Sequence, residues 1–556
     1  MSKAKRSGVP ALSAARRRFL SQLLRSGLSL AAANALGEIA FAGEKGVKSV
    51  PGAYDYIIVG AGSAGCVLAD RLSAAGFSIL VIEAGTGDIQ QPKIADALQW
   101  AQNLGTDTDW QIPMTPQREL NDRSLVLSAG RAVGGSGSTN GMGWTLPDVR
   151  DLAILARLLG PRWSIENMYA AMRLAERFVT GNSAGRSLDG KMTVGRYSPA
   201  NPLSAAVIQA ASEVSMPFVD LNTRRRLDGI GFADMNVEPD GRRSGPAQTY
   251  FADAITRSNL DLITDTAVTK LLIHGHVCVG VECVVNGSIE RFYASRDVVL
   301  SAGALGSPKI LMLSGVGPAR DLRRLGIEVV HHLPAVGSNF QDHILIPVSY
   351  HGGPAYVDRE DVGQIGAIGW VSPDDSRLPP DLMIVAFLRP FPPGIVPGER
   401  GFTLMTGNAK PRSRGRIVLQ SRDPRVPVLA DPAYVSDSRD MESMLRNLEL
   451  SLAVGAASSL RPFVDRPVFN ADELQSRQAR LRFIRENAQT RFHPMSSCSA
   501  GTDPAHSVVN SALKVWGIRN LRVVDGSVLP EVPGGGPQLM IIGVAELAAQ
   551  IMLRGH

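Results

Sequence analysis

Two hydrophobic rhythms alternate at the start of the patterned part of the chain. Ile57-Ile58-Val59 is a continuous apolar run, as a strand buried on both faces requires. After a glycine-dense turn the spacing becomes helical from about Ser63 to Ala75, and Ile79-Leu80-Val81-Ile82 returns to strand and ends at Glu83. This predicts a βαβ unit. Further along, residues 85–121 are loop-rich with prolines at 92, 113 and 116, and Leu152, Leu155, Leu158, Met168, Met172 and Ala175 give residues 150–180 a helical period. Strands are predicted at 260–263, 269–273, 277–285 and 298–301, broken by His274-Gly275-His276 and Asn286-Gly287. Residues 345–440 read as proline-interrupted strands, and 440–460 and 474–488 as helices. Such interleaving predicts a nucleotide-binding domain assembled from discontinuous segments, with a second domain inserted between them.

The turn of the βαβ unit carries chemistry. Gly60 allows the tight bend, Gly62 lets the backbone approach a pyrophosphate, and Gly65 lets helix and strand pack closely. Ser63 and Ala64 open the helix, whose free N–H groups and partial positive charge face the diphosphate. Glu83, 18 residues beyond Gly65, stands where a carboxylate accepts from adenosine ribose hydroxyls. An acid at this place disfavours a 2′-phosphate, so FAD or NAD is expected and NADP is not.

The N-terminal 42 residues read as a separate segment. Arg16-Arg17-Arg18-Phe19-Leu20-Ser21 is a twin-arginine stretch, followed by a mostly apolar run that ends in Ala40-Phe41-Ala42. That order resembles an export signal for a folded protein, which predicts a periplasmic or secreted location; a basic leader on a cytoplasmic protein is the alternative. Arg25, Asn34 and Glu38 interrupt the run too often for a membrane span, so no integral membrane segment is expected. Seven of the 58 basic and one of the 52 acidic residues lie in this segment, which leaves 51 of each beyond it. A balanced remainder gives no basis for a nucleic-acid partner. The four cysteines show no metal spacing. Cys278 and Cys283, an odd number apart in a continuous strand, would face opposite ways, so all four are expected as reduced, packed thiols and no metal site is expected.

Gly130-Arg131-Ala132-Val133-Gly134-Gly135-Ser136-Gly137-Ser138-Thr139-Asn140-Gly141-Met142 resembles the first signature of the glucose-methanol-choline flavoprotein oxidoreductases. Gly303-Ala304-Leu305-Gly306-Ser307-Pro308-Lys309-Ile310-Leu311-Met312-Leu313-Ser314-Gly315-Val316-Gly317 resembles their second. Val336-Gly337-Ser338-Asn339-Phe340-Gln341-Asp342-His343, Pro411-Arg412-Ser413-Arg414-Gly415 and Leu521-Arg522-Val523-Val524-Asp525-Gly526-Ser527 add matches, so the resemblance covers residues 54–553. It implies an α/β fold: a Rossmann-like FAD-binding domain from residues 51–149, 231–344 and 491–556, with an inserted α+β substrate-binding domain from 150–230 and 345–490 containing an antiparallel sheet. It further implies that Arg131, Gly134, Ser138, Asn140 and Gly141 contact the cofactor, that Val268 flanks the adenine, and that Asp525, Gly526 and Pro537 lie at the flavin end. Small residues in the glycine loop let the backbone lie against a flat ring and a diphosphate. Members with covalent FAD carry a histidine where Thr139 stands, so non-covalent FAD is expected.

His493, in Arg491-Phe492-His493-Pro494-Met495-Ser496-Ser497-Cys498, resembles the family's catalytic histidine. An imidazole of ordinary pKa about 6.5 can accept a hydroxyl proton near neutral pH. The resemblance implies oxidation of a primary or secondary alcohol to a carbonyl, with hydride passing to flavin N5. The family's second His or Asn, eleven residues after the aspartate, falls on Gly536, which has no side chain. Either Gln538 supplies the missing amide through a shifted loop, or His493 acts alone. Two other readings stay open: a non-redox lyase resembling hydroxynitrile lyases, and an inactive flavin-binding homologue. The electron acceptor could be oxygen, a quinone or a cytochrome. No pocket code names the alcohol, although Trp144, Phe387 and Phe391 are candidates to line its pocket.

Overall fold

The computed structural model describes residues 52–554 except 286, 359–363, 373–376 and 396–399. The expected twin-arginine segment lies outside the described residues. Among these residues no helix is long and apolar enough to cross a membrane.

Tyr54–Val59 is the middle of a parallel sheet. It pairs with Ile79–Ile82 on one side and with the last turns of Ser288–Leu300 on the other, in the register Ile58 to Val81 and Ile58 to Val299. Leu260–Ile263 and Leu521–Val523 extend the sheet at its two sides. Its central residues are fully buried, as their unbroken apolar runs require. Ser288–Leu300 is long enough to serve twice: its first half leaves the parallel sheet and pairs antiparallel with Val277–Val285, which pairs with Val268–His274. The strands predicted from 260 to 301 stand within a few residues of these positions, except that the last begins ten residues earlier.

That hairpin corrects the cysteine geometry. Leu272 faces Gly280 but Ile273 faces Cys278, so Val279 is an extra residue and the strand is not continuous in phase. Both Cys278 and Cys283 are thereby buried; all four thiols are free, and burial raises the pKa of each.

One helix packs against the parallel strands and a second packs along that helix. Ser63–Ala74 starts at Gly62 with no side-chain cap, and Pro537–Leu553 packs along it. Arg71 forks onto Glu546 through two charge-assisted bonds of 2.7 and 2.8 Å, and Tyr250 donates to the same carboxylate. Val149–Leu159 and Ile165–Arg173 realise the helical period of residues 150–180. Met172 of the second lies against Gly543, where a Cβ would come within 2.7 Å of its side chain.

The inserted domain centres on an antiparallel sheet in the order Val464–Pro467, Ile344–Gly352, Gly401–Asn408, Leu382–Phe387, Ile365–Val371, Gly229–Phe232. Helix Ser438–Ala456 lies on it and fixes it through Asn447, whose Oδ1 accepts from Met383 N. The outer strand Gly229–Phe232 pairs with Ile365–Val371 as one unit, so the expected boundary at 230/231 falls inside a strand and is corrected to after Phe232.

Candidate active site

One cavity of about 1160 Å³ runs from the carboxyl ends of the parallel strands to the inserted sheet. Single-ligand pockets are usually about 300–1000 Å³, so this one has room for an elongated cofactor and a substrate together. Such a crevice, outside the ends of parallel strands, is where an α/β sheet leaves helix N-termini unpaired.

At one end stand Gly60, Gly62, Ser63, Ala64 and Glu83. Gly60 has φ +96, and a Cβ there would approach Ser301 O to 2.6 Å. Gly65 lies behind the cavity: a Cβ would meet Gly60 O at 2.1 Å, so its absence is what seats the helix against the strand. Glu83 is almost fully buried. Its Oε2 accepts from Ala61 N and its Oε1 from Gly85 N, both at 2.8 Å, and the remaining lone pairs are available to a ligand. Burial raises its pKa to about 7 against those two bonds.

The glycine loop folds onto this turn. Gly135, with φ +53, sits so close to Gly62 that a Cβ would lie 2.9 Å from its Cα. Arg131, Asn140, Gly141 and Thr139 line the cavity, whereas Gly134 and Ser138 do not. Ser138 is buried and donates to Val133 O at 2.7 Å, and Gly134 makes room for its hydroxyl; both shape the loop from behind, a correction to their expected direct contact. Gly130, Gly135 and Ser136 of the same motif also line the cavity, although they were not among the expected contacts.

Val268, Asp525, Gly526 and Pro537 also line the cavity. The carboxylate of Asp525 is turned to protein: it accepts from Gly303 N at 2.9 Å, Ser307 Oγ at 2.6 Å and Ser527 N at 2.8 Å. It therefore locks the helix Gly303–Leu313 to the C-terminal segment. Gln538 opens the helix Pro537–Leu553, and its Oε1 accepts from Ser63 Oγ at 3.2 Å and from Asn140 Nδ2 at 3.4 Å. Its Nε2 has no protein partner among the described residues. This groups Gln538 with the glycine loop, in place of the shifted-loop role expected for it. Gly536 leaves open space, since a Cβ would meet nothing nearer than Gly143 O at 4.0 Å.

At the other end His493 lines the cavity three residues after the short strand Gln489–Thr490. Phe492, with φ +62, is held in the left-handed region by its N–H bond to Thr490 Oγ1 at 2.8 Å. Buried Asp342 accepts from His493 N at 2.7 Å and from the hydroxyls of Tyr434 and Thr490. Burial nonetheless raises its pKa to about 6. The imidazole of His493 meets a second one: Nδ1 lies 2.8 Å from Nδ1 of His343, whose Nε2 lies 2.9 Å from Ala409 O.

Those two distances determine the tautomers. A carbonyl only accepts, so Nε2 of His343 carries a proton. Burial pushes the pKa of His343 down to about 3, so the ring is neutral and its Nδ1 is bare. Nδ1 of His493 must then donate. Burial, with Arg491 and His343 nearby, depresses His493 well below its ordinary value, so it too is neutral and its lone pair is on Nε2. His343 was visible in a motif, but nothing in the sequence placed it 150 residues away against His493.

The side walls are apolar. Phe387 stacks on Phe391 at 4.8 Å and Phe391 meets Trp100 at 5.5 Å. Trp144 is buried in the core and does not line the cavity, a correction to its candidate role.

Comparison with known proteins decides the family. A GMC oxidoreductase model matches residues 54–345 and its C-terminal counterpart matches 411–545. The chain belongs to the GMC oxidoreductase family. As a GMC oxidoreductase it is an FAD-dependent enzyme, and it is 34% identical over 539 residues to an alcohol dehydrogenase [acceptor] of Pseudomonas putida, covering 90% of this chain and 96% of that one. Mitochondrial choline dehydrogenase of Homo sapiens is 32% identical over 536 residues, covering 90% and 89%. Among solved structures, pyridoxine 4-oxidase from Mesorbium loti superposes with a TM-score of 0.84 at 27% identity, covering 90% of this chain and 99% of that one. Formate oxidase, at 22% identity and TM-score 0.83, shares the fold.

The residues present fit the family's cofactor. The uncapped helix turn at Gly62, the glycine-on-glycine contact of Gly62 with Gly135, and the unpartnered Nε2 of Gln538 together form a donor-rich cradle without side chains in the way.

Proposed function

We propose that this GMC oxidoreductase oxidises an alcohol to a carbonyl with His493 Nε2 as the base. The observation that carries the reading is the imidazole pair: Ala409 O orients His343, and His343 leaves His493 neutral with its lone pair on the ring nitrogen that has no protein partner among the described residues. FAD, when bound, supplies the two-electron chemistry by accepting the carbinol hydrogen as hydride. His493 takes the hydroxyl proton, and Asp342 holds its backbone in place. Gly60, Gly62, Ser63, Ala64 and Glu83 would hold the ADP end; Arg131, Asn140, Gly141, Gly526, Pro537 and Gln538 would hold the rest. Thr139 offers no ring nitrogen, which supports a non-covalent cofactor. Export with the cofactor inserted is supported by the twin-arginine stretch. Export favours a dehydrogenase that uses a quinone or cytochrome, while the name of the Pseudomonas putida relative leaves its acceptor unspecified.

The test is anaerobic mixing with an alcohol panel while the visible flavin absorbance is followed. An alcohol bleaches the wild type, and His493→Ala slows the bleaching by about 10²- to 10⁴-fold with flavin still bound. Undiminished reduction in that variant would remove His493 from the mechanism.

A further inference from the structure

We propose that Arg491 is a substrate-recognition residue and that the alcohol oxidised here carries a carboxylate. This rests on the alcohol-oxidation reading and names its substrate class. Arg491 lines the cavity two residues before His493, and its backbone N–H is tied to His343 O at 3.0 Å. Its guanidinium has no oxygen partner among the described residues: its side-chain contact is the sulfur of Met383. Arg131, also on the cavity wall, lies over Trp110 with its Nε unpartnered among the described residues, whereas the other enclosed arginines are paired. Arg150, Arg186 and Arg522 each bind a carboxylate, and Arg243 binds Ile94 O, Gly137 O and Asn140 Oδ1.

Buried Asp342 offsets part of the charge, but it makes no direct bond to the guanidinium among the described residues and is engaged by His493 N, Tyr434 and Thr490. Leu345, Ile368, Trp370, Phe387, Phe391 and Met405 make this part of the wall apolar. The lining carboxylates are engaged elsewhere: Glu83 with Ala61 and Gly85, Asp109 with Ala129, Asp525 with Gly303 and Ser307, and Asp423 with Arg425. A guanidinium in a cavity that loses water on ligand binding needs an anion, and its planar fork matches a carboxylate with two parallel bonds. The same charge opposes a quaternary ammonium alcohol such as choline. Aromatic walls with one cation therefore suit an apolar or aryl alcohol with an acid group.

The test uses the holoenzyme in two arms. In the first, anaerobic flavin reduction is compared for para-hydroxymethylbenzoate, benzyl alcohol and choline. The acid should exceed benzyl alcohol in kcat/KM by about tenfold or more, choline should be poorest, Arg491→Met should abolish the preference and Arg491→Lys should keep part of it. In the second, benzoate is titrated and the perturbed flavin spectrum gives its affinity, which should weaken about tenfold or more in Arg491→Met. This arm needs no turnover, so it decides the role of Arg491 even if no alcohol reduces the flavin. Preference for benzyl alcohol or choline, equal benzoate affinity in wild type and Arg491→Met, or an equal loss with every alcohol would overturn the proposal. If Arg491→Met does not retain flavin, Arg491→Lys against wild type carries the same comparison.

Discussion

Gly536 is the position at which adding a side chain should improve the enzyme. Its backbone, at φ −65 and ψ 134, suits any residue, and a Cβ would stand 4.0 Å from the nearest atom, Gly143 O. It is the N-cap of the helix Pro537–Leu553, where asparagine is favoured over glycine by a few tenths of a kcal/mol. Replacing glycine where no strain results also narrows the unfolded ensemble, for about 0.4–1 kcal/mol more. Gly536→Asn should therefore fold with a stability about 0.5–1.5 kcal/mol above the wild type. The amide would project into the cavity that His493 lines and offer a second donor to the oxygen that loses its proton. Removing one such preorganised donor from an enzyme that evolved with it costs about 3–4 kcal/mol; an added one with no dedicated support should recover a fraction, about 1.4 kcal/mol, or tenfold. The assay is the anaerobic rate of flavin reduction with one alcohol, alongside flavin content and thermal melting. A lower melting temperature or lost flavin would show that the space is not open. Intact flavin with an unaltered rate would show that position 536 does not face the reacting oxygen.

Three further outcomes follow from the geometry. Because burial depresses the folded pKa of His493, its base form persists as pH falls below 6.5, so the reduction rate should stay flat across about pH 6–8; an acid limb near 6.5 contradicts the neutral pair. His343→Leu frees Nδ1 of His493 and leaves Ala409 O without its donor, so reduction should fall about tenfold to a hundredfold, and an unchanged rate would show that the tautomer is set otherwise. Gly65→Ala drives a methyl to 2.1 Å from Gly60 O, so the helix must lift from the strand at a cost of about 1–3 kcal/mol or more, read as a lower melting temperature and weaker flavin retention; a full flavin complement would refute the close packing.

What could be read from the chain alone was what short-range rules govern. The strand, glycine turn and helix of residues 54–83 follow from apolar period and from glycine's missing Cβ, and the sheet hairpin from 268 to 300 follows from alternation and turn residues. Those rules failed where a single residue shifts the phase, as at Val279, and where a side chain in a binding motif turns to the protein, as Ser138 and Asp525 do.

The sequence by itself determined that a nucleotide turn exists, that a histidine of the right context lies near the C-terminus and that its usual partner is a glycine. Only the tertiary structure decided which groups meet. Ser63 and Gln538 touch across 475 residues, His343 and His493 across 150, and Arg491 meets the sulfur of Met383 on a largely apolar wall. Contacts at such separations depend on how two sheets and their covering helices pack, and hydrophobic period specifies only which face is buried, not which polar atoms end up opposite one another.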